Sequence, residues 1–117
     1  MRTIKKTTML CVVLFAINAT LNAQTNPFPT AVINEQYGAW QFYAGSVYIF
    51  ELPNVAGATY DWSCDNSDFI QYTNNAYAVR FEMPYPVYSW GVEGRIRCTV
   101  TYQGINYYKY LDIVVYP

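Results

Sequence analysis

The sequence predicts an all-β sandwich of seven short strands, carried on an exported chain. Three observations predict it. Apolar and polar residues alternate over several short runs, the period of a strand with one face buried. Two of those runs, Tyr60–Cys64 and Ile96–Val100, each carry one cysteine. The chain opens on a basic cluster, an apolar run and a small residue, the order of a secretory signal.

The signal is expected over residues 1–23. Arg2, Lys5 and Lys6 supply its charge, Met9 to Ile17 its apolar core, and Ala23 the small residue before the cut, with Ala19 the alternative because Leu21 fits the Ala23 site imperfectly. The apolar run is too short to span a bilayer. Cys11 follows Leu10, where a lipid-anchoring signal wants a small residue. No later run is long and apolar enough to span, so no transmembrane anchor is expected. The predicted destination is the periplasm, the cell surface or the medium. An extended leader is expected over residues 24–30, with its prolines at Pro27 and Pro29, and a single sandwich domain over 31–117.

The strands follow in order. Ala31–Ile33 and Ala39–Tyr43 form an edge pair or one irregular first strand. Val47–Leu52 turns Tyr48, Phe50 and Leu52 to one face, then Pro53 stops it and Gly57 turns the chain. Ala58–Cys64 places Tyr60, Trp62 and Cys64 together. Asp65–Asp68 is a loop, and Phe69–Thr73 a short strand closed by Asn74-Asn75. Tyr77–Met83 sets Tyr77, Val79, Phe81 and Met83 inward. Pro84–Gly94 is a long aromatic connection. Arg95–Tyr102 alternates Ile96, Cys98, Val100 and Tyr102 against Arg95, Arg97, Thr99 and Thr101. Gly104 turns it into a last strand, Asn106–Tyr116, with Leu111, Ile113 and Val115 inward. Seven such strands with regular turn signals are the pattern of an immunoglobulin-like antiparallel sandwich.

Composition excludes several functions. Without Arg2, Lys5 and Lys6, the basic residues are Arg80, Arg95, Arg97 and Lys109, against eight acids. No basic face for nucleic acid results. There is no histidine, which removes the commonest general base and most zinc sites. Asp61, Asp65, Asp68, Glu82 and Glu93 are the carboxylates available for acid–base work, but so small a domain has little room for a cleft. Asp65-Asn66-Ser67-Asp68 offers oxygens to calcium, without the glycine and distal glutamate of a calcium loop. No cofactor, metal or enzymatic activity is expected. Cys64 and Cys98 are expected to form a disulfide, which in an exported domain adds roughly 3–4 kcal/mol by closing their loop.

The stretch Ala44 to Trp62, with its glycine-led strand, Pro53 and Gly57-Ala58-Thr59-Tyr60-Asp61-Trp62, resembles the PKD-like domains of exported bacterial proteins. These commonly read Gly-Ala-Thr-x-Tyr-x-Trp, so Tyr60 stands one residue tighter here. Where many relatives place a cysteine before the glycine-led strand, this chain has Tyr43-Ala44. The resemblance extends over Ala31 to Pro117. It implies a non-catalytic extracellular module, a spacer or a binding domain, and no substrate. It also implies that the cysteine strands are neighbours in one sheet, making Cys64–Cys98 a cross-strand bond rather than an antibody-type bond between sheets.

All thirteen tyrosines lie beyond the signal, and two places concentrate aromatic residues. Pro84 to Gly91 carries Tyr85, Tyr88 and Trp90 between stiffening prolines. These rings either present flat faces to a partner or fold under the sheet end to seal the core. In the last strand Tyr108, Tyr110 and Tyr116 point away from the inward residues. They either support strand addition or stack across to Thr99 and Thr101. The expected function is a binding module acting through these surfaces on a protein or a surface glycan, with protein favoured. The alternatives are a structural subunit that assembles by edge pairing and, last, a small enzyme or inhibitor.

Overall fold

The computed structural model describes residues 25–117. The expected signal, Cys11 included, lies outside them. Eight strands form two four-stranded sheets: β1 (Asn34–Glu35), β2 (Phe42–Tyr43), β3 (Val47–Glu51), β4 (Thr59–Cys64), β5 (Ile70–Gln71), β6 (Ala78–Glu82), β7 (Val92–Tyr102) and β8 (Ile105–Tyr116). One sheet runs β1-β3-β6-β5, the other β2-β8-β7-β4. Every described pairing is antiparallel except β2 with β8.

The sheets pack through the alternating residues. Phe50 and Leu52, Val79, Phe81 and Met83 from one sheet meet Tyr60, Trp62, Ile96, Cys98, Val100, Ile113 and Val115 from the other in one buried cluster. The rings interlock across the sheets, with Phe42 edge-on to Tyr48 at 4.9 Å and tilted against Phe50 at 5.6 Å. Such pairs add to the area term that drives the sheets together. The Trp62 indole N–H donates to the Ala76 carbonyl at 2.7 Å, so the largest core ring leaves no polar atom unpaired.

Three features differ from the sequence expectations. The count is eight strands rather than seven, because Ala31–Tyr43 yields two separate two-residue strands on different sheets. β1 edges the first sheet, and the chain then crosses to lie beside β8, running in the same direction as it. The leader is not simply extended. Pro27 accepts bonds from Thr30 N and Ala31 N in a turn, and Phe28 is fully buried against Tyr60, Tyr102 and Tyr107. Asn26 fastens it by donating to the Tyr107 hydroxyl at 2.7 Å. The third difference is the disulfide.

Cys64 and Cys98 do lie on neighbouring strands of one sheet, but the ladder sets Trp62 opposite Cys98 and Ile96 opposite Cys64. Both are free thiols. The register makes them diagonal neighbours, typically about 7–8 Å apart, outside the usual disulfide span of about 4.4–6.8 Å between Cα atoms. No bond between these two cysteines adds to the packing that holds the sheets together. Burial pushes the Cys98 thiol up to about 12, and burial also raises that of Cys64. Since the thiolate is the reactive form, alkylation of folded protein should label Cys64 slowly and Cys98 only on unfolding. Peptide mapping without reduction should return Cys64 and Cys98 as thiols; a Cys64–Cys98 bridged peptide would overturn this register.

Candidate binding surface

The aromatic connection sits at one end of the sandwich and is latched on both sides. At its start, Met83 exchanges backbone bonds with the β2–β3 turn: Gly45 N donates to Met83 O at 3.0 Å and Met83 N to Ser46 O at 2.9 Å. Gly45, at φ 74°, has no side chain, and the Tyr85 hydroxyl occupies the space a Cβ would need. At its finish, Gly91 holds φ 102°, and a Cβ there would overlap the Val115 carbonyl oxygen and crowd the Val114 side chain. Gly91 N donates to Tyr88 O, closing a tight turn.

Between these latches the rings face outward. Tyr85 is 80% exposed and Val87 91% exposed. Tyr88 and Trp90 stack on each other, with centroids 4.4 Å apart and planes within 5°, yet remain 57% and 70% exposed. The core at this end is closed by Phe42, Met83 and Val115 instead, so the loop aromatics are not sealing it. Tyr43 and Tyr116, paired across β2 and β8, are partly exposed close by. Ala44 N joins this end by donating to Tyr116 O.

The second cluster lies on the outer face of the β2-β8-β7-β4 sheet, away from the loop. Tyr108 stands opposite Thr99, Tyr110 opposite Arg97 and Asp112 opposite Arg95. Tyr108 and Tyr110 are 72% and 61% exposed. Arg95 grips Asp112 with two bonds of 2.6 and 3.1 Å and lays its guanidinium 4.4 Å from the Tyr110 ring centre. The bonded guanidinium lowers the Asp112 carboxyl below its ordinary value. Both partners are exposed, so the pair orients Tyr110 more than it stabilises the fold.

The acidic loop turns its oxygens to the backbone. Asp65 Oδ1 accepts from Arg95 N at 2.7 Å, Asn66 Oδ1 from Asp68 N at 3.0 Å, and Asn66 Nδ2 donates to Glu93 O. Among the described residues no three ligating side chains gather for a metal. The shallow depression of about 560 Å³ lined by Asp65, Glu93, Arg95 and Asp112 already has its Asp65 and Asp112 carboxylates engaged.

Sequence reasoning passed over Trp40 and Tyr37, both 80% exposed. They sit on the connection between β1 and β2, where Glu35 accepts from Tyr37 N and Ala39 N. An irregular segment held by one carboxylate writes no periodicity, so nothing in the sequence marked those rings as outward.

No family model matches the chain, and no curated protein matches it. Among solved structures it is similar to a nucleoside hydrolase-related hypothetical protein from Saccharophagus degradans that is associated with carbohydrate metabolism. The TM-score is 0.45 at 13% identity, over 74% of this chain and 25% of that one. The chain thus spans about a quarter of that protein's length.

Proposed function

We propose that this protein is an exported, non-catalytic binding module that contacts a protein partner through the aromatic end of an immunoglobulin-like, PKD-like sandwich. The observation that carries the reading is the Tyr88–Trp90 stack, solvent-exposed on a loop latched at both ends. Large rings held rigidly in water cost solvation and stabilise no core. A partner that covers them recovers that cost with little ordering entropy left to lose.

A protein is favoured over a glycan by the loop's chemistry. From Pro84 to Gly91 the polar side-chain groups are the Ser89 and tyrosine hydroxyls and the Trp90 indole N–H, and Val87 stands out beside the rings. An apolar patch edged by tyrosine and tryptophan resembles the centre of a protein interface. A sugar would ask for more hydrogen-bonding groups than this loop offers.

A photo-crosslinking residue at Tyr85 or Tyr88, in the cells that make the protein, should give discrete protein adducts. The same residue at the exposed Ile70 should give none. Trp90→Ala should reduce the Tyr88 adduct at least tenfold, the usual scale for an aromatic anchor, while the fold holds by circular dichroism. Retention on immobilised polysaccharide without protein adducts would move the reading to a glycan. Neither result at any loop position would end it.

A further inference from the structure

A sheet edge is an unfinished hydrogen-bonding surface, and proteins rarely leave a long one open. This sandwich has four. β1 and β5 are two residues each. β4 is capped at its middle, where Trp62 N donates to Asn74 and Gln71 Nε2 donates to Trp62 O. β8 is different. β2 pairs only with Val115 and Tyr116, and among the described residues nothing bonds the outer side of β8 from Ile105 to Val114.

The register identifies the free groups. Gln103 and Gly104, both at positive φ, make the two-residue turn that closes on the hydrogen-bonded pair Tyr102–Ile105. Antiparallel alternation then aims the N–H and C=O of Asn106, Tyr108, Tyr110 and Asp112 away from β7. Tyr116 has the same parity, and its carbonyl does accept from Ala44 on that side. The inward row along this edge is Tyr107, Lys109 and Leu111. Lys109 is half-buried opposite Cys98 and has no ion-pair partner among the described residues.

Lys109 decides the occupant. In any two-fold pairing of β8 with a second copy, inward residues face inward residues. Lys109 would then meet another Lys109 or an apolar side chain, never Asp112, which lies on the outer face. Like charges directly opposite oppose pairing, and an inward charge on an edge is a known guard against self-association. We infer that the β8 edge from Asn106 to Asp112 accepts an extended segment of another protein by strand addition, with a carboxylate opposite Lys109 and apolar residues opposite Tyr107 and Leu111. This second contact site goes beyond the aromatic end and stands independently of it.

The test uses two blocked nine-residue peptides that alternate valine and threonine, with glutamate or lysine in place of the central valine. In amide-resolved NMR the glutamate peptide should bind and slow exchange at Asn106, Tyr108, Tyr110 and Asp112. It should bind about fivefold more tightly than the lysine peptide, the scale of a cross-strand charge pair. Lys109→Glu should reverse that preference. The Tyr88→Ala, Trp90→Ala double variant should bind the glutamate peptide as the parent does. No binding, protection elsewhere, an unreversed preference, or loss of binding in the loop variant would each overturn the proposal.

Discussion

Trp62→Ala is expected to remove most of the domain's stability. Its ring is 2% exposed and faces the core from the edge strand β4, opposite Cys98 on β7. Truncating a buried tryptophan costs about 3–5 kcal/mol in lost contacts and residual cavity. The Ala76 carbonyl, which accepts from the indole N–H, also loses its donor, at a further cost of about 1 kcal/mol or more if water cannot reach it. A small domain is stable by roughly 5–15 kcal/mol, and Cys64 and Cys98, both free thiols, give this one no covalent support. Urea unfolding followed by circular dichroism should show the midpoint collapse toward zero denaturant. Trp62→Phe, which keeps ring contacts but not the N–H, should fall between. A shift equivalent to under about 1 kcal/mol for the alanine variant would show that the core repacks around the loss.

Gly91→Ala should have the next largest effect, and it reaches the proposed binding surface. The residue holds φ 102°, a region that side-chain-bearing residues enter at a cost of roughly 1–3 kcal/mol. A methyl group there also overlaps the Val115 carbonyl oxygen and crowds Val114. Neither can yield easily, because Val115 is buried and paired with Phe42. The loop must lift instead. A fall of roughly 5–15 °C in melting temperature is expected, with loss of the near-ultraviolet signal of the Tyr88–Trp90 stack. Gly57→Ala is the control. Gly57 has φ 84° but open space around it, so it should show the backbone cost without the overlap. Equal losses at the two glycines would mean that the Val115 contact does not hold the loop.

Half-buried strands were legible because they write their burial into the sequence. Val79, Phe81 and Met83, or Ile96, Cys98, Val100 and Tyr102, are inward residues spaced by two, and the turn at Gly104 follows from its neighbours. β2 was not legible as a strand of the other sheet. Two residues carry no period, and their partner lies more than seventy positions away. Phe28 was hidden by its flanking prolines, which suggest an extended segment when in fact a turn folds the ring under the sheet end. The cysteines were placed on the right pair of strands, but a strand's pattern fixes its face and not which residue stands opposite, so their register was out of reach. The loop aromatics were legible as a candidate site with two possible states. Only the latches at Gly45 and Gly91 separate presenting rings from sealing ones. Strand addition at the last strand was raised by its tyrosines, but which stretch of β8 stands open could not be read, since an unpaired edge is a property of what the rest of the chain fails to reach.

The parallel pairing of β2 with β8 also has a mechanical meaning. The chain enters β2 from one side and leaves β8 toward the other, with both strands pointing the same way. A pull on the flanking chain would peel β1 from β3 one bond at a time, because that antiparallel pair opens like a zipper. Once β1 is gone, the same pull drags β2 lengthwise along β8. The bonds around Phe42, Tyr43 and Ala44 would then be loaded together in shear. The aromatic end lies beside that junction, so tension carried through the domain would reach the Tyr116 strand end before it reached the core.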